Sequence, residues 1–153
     1  MRGRKVGISI MMMGCALVLS GGMAFAEDLP PLPPLPAEYA DKHMPAGGWT
    51  DAKAIAEGAK IYSGESNPVV NCGSCHGKDG KPVKKGARDL RDPKNVGRFS
   101  DSFWFWRIAE GIPKTKMKAW KSLLSEEQIW QVMAVEHQFS HDGKPAEHTD
   151  YKP

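Results

Sequence analysis

Residues 72 to 76 read Cys-Gly-Ser-Cys-His, and that pentapeptide limits what the rest of the chain can be. Two thiols three residues apart, followed at once by an imidazole, can form thioether links to the two vinyl groups of a haem while the histidine ligates its iron. Three other uses of the pair explain less of the pattern. A redox dithiol belongs beside a βαβ unit, and no such pattern is present. A structural zinc site needs two further ligands; His137 or His141 offers a nitrogen, but there is no second cysteine pair. A plain disulfide leaves His76 without a role. One haem, attached through Cys72 and Cys75 with His76 on its iron, is the expectation.

The start of the chain reads the same way. MRGRK is followed by an uncharged run and then by Ala24-Phe25-Ala26, the form of an export signal cut after Ala26, although Val6 to Ala26 is also long enough to serve as a retained membrane anchor. Covalent haem attachment takes place outside the bacterial cytoplasm, so a periplasmic location fits both features. Removing residues 1–26 takes away Arg2, Arg4 and Lys5, and the remaining basic and acidic side chains are equal in number. The formal charge of +3 therefore belongs to the precursor and argues for no nucleic-acid partner. The charge is unevenly placed, with 13 Lys or Arg against five Asp or Glu between Cys72 and Lys121 and both flanks acidic. Such a distribution steers an acidic partner to one face.

Four segments follow from composition and periodicity. Residues 1–26 are the signal or anchor, and 27–50, opening EDLPPLPPLP, are a proline-rich arm. Residues 51–139 form the domain, and 140–153 a polar tail. Within the domain, apolar residues recur at helical spacing from Asp51 to about Tyr62, with Thr50 or Asp51 as the cap, and an aromatic helix runs from Ser100 or Asp101 to Glu110. A third helix runs from Ser125 to about Gln138, with Ser125 and Gln128 forming a capping box. No stretch alternates as a strand does, so the fold is read as all-α. Its long Lys- and Gly-rich connections have few apolar side chains of their own. A large apolar group at the centre would give them something to wrap.

A closed haem needs a sixth ligand. Met117, in GIPKTKMKAW, offers a soft neutral thioether that binds both iron oxidation states and favours the reduced one. Met133 reads as helix core, Met44 stands on the wrong side of the motif, and His137 reads as a polar helix-end residue. Phe103, Trp104, Phe105, Trp106 and Trp120 are candidates to pack on the macrocycle and keep water out.

In order, Gly58-x-x-x-Tyr62, CGSCHG at 72–77, Asp89-Leu90, Ile108-x-x-Gly111, Met117-x-x-Trp120 and Ile129-Trp130-Gln131-Val132 resemble the class I cytochrome c family over residues 51–139. The resemblance implies helices and loops wrapped around one covalently attached haem c, with His76 and Met117 as axial ligands. It also implies that Gly58 and Tyr62 cross the C-terminal helix near Val132 and Val135. Two departures stand out: Lys118 where proline usually follows the methionine, and Val135 where an aromatic is usual. The implied role is non-enzymatic one-electron transfer between redox proteins, with a lysine rim at Lys78, Lys84, Lys85, Lys114, Lys116, Lys118 and Lys121 and no small-molecule substrate. Membrane contact would come only through a retained anchor or a partner complex. A cytochrome subunit bound in a larger oxidoreductase, and a catalytic or gas-sensing haem with an open distal side, are the alternatives.

Overall fold

The computed structural model describes residues 31–149. The signal or anchor expected at 1–26 lies outside them, as do residues 27–30 and 150–153. Among the described residues, those from Pro33 to 149 form one unit. A 3-10 turn at Ala37–Tyr39 precedes α1 (Ala52–Ser63), the single turns α2 (Gly73–His76) and α3 (Pro93–Val96), α4 (Asp101–Glu110) and α5 (Glu126–Phe139). No strand occurs among the described residues, so the fold is all-α.

Each long helix starts where its cap chemistry says it should. Asp51 accepts from the amides of Lys53 and Ala54, and Ser100 from that of Phe103. Ser125 and Gln128 close a reciprocal capping box at the start of α5. These caps occupy amide donors that the first helical turn leaves without partners.

Helices α1 and α5 share the most extensive helix contact among the described residues. Gly58 is where they touch: a Cβ there would lie 2.1 Å from the Gln131 carbonyl oxygen and 3.0 Å from Val135 Cγ2. One turn on, the ring of Tyr62 meets that of Phe139 at 5.3 Å, and its hydroxyl donates to the Gly77 carbonyl at 2.7 Å. The helix crossing is thus tied to the residue that follows the Cys-x-x-Cys-His motif.

The second half of the arm is packed on the domain. Tyr39 and Trp49 are buried, and the Tyr39 hydroxyl donates to Glu110, which also receives Lys121 at 2.6 Å. Asp101, buried at the start of α4, accepts from the Met44 amide at 2.9 Å and lies 3.1 Å from His43 Nδ1. Ser102 donates to the Lys42 carbonyl at 2.7 Å. Proline explains only the first part of the arm, because 37–50 carries the aromatic and hydrogen-bonding groups that hold it down.

His137 differs from its reading as a polar helix end. It is 2% exposed, with Trp49 at 4.8 Å, His141 stacked at 4.2 Å and His148 edge-on at 5.1 Å between ring centroids. The tail reaches this niche because His148 bonds the Phe99 carbonyl through Nε2 at 2.9 Å. Burial first, and then the imidazoles of His141 and His148, lower the His137 pKa from 6.5 to about 3.

A histidine depressed in the folded state contributes stability that is complete above its unfolded pKa and is lost as pH falls toward the folded one. The domain is therefore expected to weaken on acidification from about pH 6.5, at up to about 1.4 kcal/mol per pH unit. Release of residues 140–149, which hold His141 and His148 over His137, is expected to open the niche before the domain unfolds and so to cap the loss. Thermal midpoints between about pH 7 and 4, with hydrogen exchange over the tail, test this. Acid-insensitive protection of the tail would refute it.

Candidate haem-binding site

The motif sits on α2, a turn made rigid from several sides. The Cys72 carbonyl accepts from the amides of Cys75 and His76 at 3.1 and 2.9 Å, and the Cys75 carbonyl accepts from Val83 at 3.0 Å. Asn71 fixes the entry, its side chain accepting from the Ser74 amide at 2.8 Å while Ser74 Oγ donates to the Asn71 carbonyl at 2.7 Å. His76 Nδ1 lies 3.0 Å from the Arg88 carbonyl. A carbonyl can only accept, so Nδ1 carries the proton and the Nε2 lone pair is left for a metal.

Met117 arrives on the loop between α4 and α5. Gly111, at φ +70°, turns the chain out of α4 where a Cβ would lie 2.5 Å from the Met117 carbonyl oxygen. That carbonyl accepts from the Ile112 amide at 3.0 Å, and Thr115 Oγ1 accepts from the Met117 amide at 3.1 Å. Trp120 returns the chain, its amide donating to Ala109 at 3.0 Å. The backbone therefore sets the position of Met117 independently of what its side chain does.

Cys72, Cys75, His76 and Met117 line a single cavity of about 290 Å³. Ile108 and Trp120 contribute to its wall, and Lys84, Lys85, Lys114 and Lys116 also line it. Both cysteines are free thiols, half buried. Burial first, and the negative charge of Glu136 second, push the Cys72 thiol up to about 12. Such a thiol is a poor thiolate metal ligand and stays neutral at physiological pH. Two cysteine side chains, a tautomer-fixed imidazole and a thioether facing a mostly apolar space fit a covalently held haem. They fit a zinc ion poorly, and no cluster of three or more His, Cys, Asp or Glu among the described residues is arranged to hold a metal.

The five aromatic candidates divide between cavity wall and core. Of the five candidates only Trp120 lines the cavity. Phe105 packs between Tyr39 and Trp130, and Trp106 packs edge-on to Phe103 beneath Arg107. Trp104 faces Trp49 and His148. Trp104 and Phe105 form the seat for the arm and tail, a role invisible until those segments are in place.

Sequence reasoning missed Glu136. It is 4% exposed, lines the cavity, and accepts from Trp104 Nε1 at 2.8 Å. The signal was available: Ile129, Val132, Met133 and Glu136 continue one i, i+3, i+4 rhythm, so a carboxylate stands where the pattern calls for an apolar residue.

Residues 53–134, more than half of the chain, match the family described as cytochrome C oxidase, cbb3-type, subunit III. A search of curated proteins returns no match. Among solved structures, the KustC0563 c-type cytochrome is 30% identical over 54% of this chain and 95% of its own, at a TM-score of 0.46. The Kuenenia stuttgartiensis reducing HAO-like protein complex Kustc0457/Kustc0458 is 22% identical over 57% of this chain, which spans 44% of that one, at a TM-score of 0.48. Cytochrome CL from Methylophaga aminisulfidivorans is 22% identical, covering 65% and 71% of the two chains, at a TM-score of 0.46. Helical fold, attachment motif and family match agree: the chain belongs to the cbb3-type subunit III family of class I c-type cytochrome domains and carries covalently attached haem c.

Proposed function

We propose that this protein is an exported one-electron carrier working between redox proteins in the periplasm, with Cys72 and Cys75 holding the haem and His76 and Met117 as its axial ligands. The observation that carries the reading is the convergence of those four side chains on one cavity. The haem supplies the one-electron couple. The chain fixes the imidazole through Arg88, presents the thioether on a hydrogen-bonded loop, and keeps the site largely apolar. A centre with both axial positions filled by protein has no place for a substrate, so the role is transfer and not catalysis.

Lys84, Lys85, Lys114 and Lys116 would meet an acidic partner beside the electron's exit, in a small, wet and transient contact. A second reading is favoured by the family match: residence in a larger oxidoreductase as its cytochrome subunit, with the same haem chemistry. Among the described residues no helix is long and apolar enough to cross a membrane, so attachment there would come through residues 1–26 or a partner.

The test is the absorption spectrum of the haem-loaded protein in both oxidation states, with carbon monoxide added to the reduced form. Low-spin iron indifferent to carbon monoxide supports the carrier. High-spin iron or immediate carbon monoxide binding would replace it with a catalytic or sensing role. Isolation alone or in a stable complex separates shuttle from subunit.

A further inference from the structure

Among the described residues Glu136 is the one carboxylate in the cavity wall, and electron transfer by itself gives it nothing to do. It is almost fully buried, and among the described residues no basic side chain pairs with it; Trp104 supplies its hydrogen bond. Burying an ionisable group this way is costly unless its charge is compensated or its proton retained.

The groups facing it come from three directions. Tyr62 approaches from α1, Cys72 and His76 from the attachment motif, and Trp104 from α4. In the loaded protein Cys72 is a thioether and His76 is committed to iron, so neither titrates. The Tyr62 phenol, buried and bonded to Gly77, is held far above its ordinary range. The four cavity-lining lysines are exposed to solvent, and none pairs with Glu136. On α5 itself, neighbouring His137 is turned into the niche with Trp49 and His148. Glu136 is left as the wall's titratable group, with no ion pair or hydrogen bond to His76.

Iron(III) in the haem carries one more positive charge than iron(II). Across a cavity of low dielectric that extra charge favours the carboxylate, and its loss on reduction favours the carboxylic acid. We propose that Glu136 takes up one proton from solvent when the haem accepts its electron and returns it on oxidation, so that within a window of pH this carrier moves a proton together with each electron. The electron comes from the donor protein and goes to the acceptor; the proton enters and leaves through water. The proposal rests on the carrier reading above. Burial in the cavity wall raises the Glu136 pKa, partly opposed by the Trp104 bond, which brings the window above the ordinary carboxylate range.

The experiment is spectroelectrochemical titration of the haem-loaded protein from about pH 5 to 9, the range in which a raised carboxyl group titrates. The expected result is a segment in which the redox equilibrium shifts up to tenfold per pH unit, about 59 mV for a one-electron couple. In Glu136→Gln, whose amide oxygen still accepts from Trp104, that segment should be flat and the potential above it higher than in the wild type. Infrared difference spectra on reduction should show a protonated-carboxyl C=O band in the wild type and none in the variant. Trp104→Phe, which removes the bond favouring the carboxylate, should move the segment to higher pH. A wild-type potential independent of pH, or a slope that survives in Glu136→Gln, overturns the proposal and returns any proton coupling to the haem's own propionates. Because the infrared and potentiometric readings on the wild type need no variant, a Glu136→Gln protein that fails to fold leaves the test intact. Failure of the carrier reading appears separately, as carbon monoxide binding.

Discussion

Gly58→Ala should destabilise the haem-loaded protein by about 2–4 kcal/mol, seen as a lower midpoint of denaturant unfolding with little change in slope. On helix propensity alone the substitution would help by roughly 1 kcal/mol, because glycine inside a helix costs about that much relative to alanine. Packing decides otherwise. The new methyl carbon would stand 2.1 Å from the Gln131 carbonyl oxygen and 2.5 Å from its carbonyl carbon, both backbone atoms that cannot swing aside. Helix α5 would have to retreat, loosening the interlock with Val135 and the contact between Tyr62 and Phe139. Ala56→Ser, on the exposed side of the same helix, should change stability by less than about 0.5 kcal/mol. A Gly58→Ala protein as stable as the parent would mean that α1 and α5 do not approach as described.

Met117→Ala carries the largest functional effect. With the thioether gone, the weak far-red band of methionine on ferric iron should vanish, and the reduced protein should bind carbon monoxide. The potential should fall by a substantial share of the roughly 0.8 V over which axial ligands tune haems. Stability should suffer less, because the loop is held by main-chain groups at Ile112 and Trp120 and by the Thr115 hydroxyl. Met133→Leu is the contrast: fully buried in α5, it should leave the spectrum unchanged and cost under about 1.5 kcal/mol. Retention of the methionine band in Met117→Ala would transfer the sixth position to another residue.

The three long helices were legible because their signals are local. Asp51, Ser100 and Ser125 announce their starts by cap chemistry, Gly111 ends the second of them, and the apolar rhythm of α5 carries through Ile129, Val132 and Met133. The attachment motif is equally local, a chemical pattern within five residues. What stayed hidden depends on pairs far apart in the chain. Nothing near Trp104 says that it will serve Glu136 rather than the macrocycle, and nothing near His137 says that Trp49 and His148 will close over it. Periodicity assigns a residue to a buried face but not to a neighbour. Proline content likewise described the first part of the arm and could not show that Tyr39 and Trp49 anchor the second.

The packing of arm and tail has a consequence for where this domain ends as a cooperative object. The family match spans 53–134, yet Tyr39 and Trp49 before it and His148 beyond it are seated against aromatic side chains of α4 and α5. A fragment trimmed to the matched residues would uncover Trp104 and Phe105, trading a closed surface for a sticky one. Proteolytic loss of either segment in the cell would then work as a disposal mark: haem and motif intact, but the protein recognisable to quality control by the indole and phenyl rings it can no longer hide.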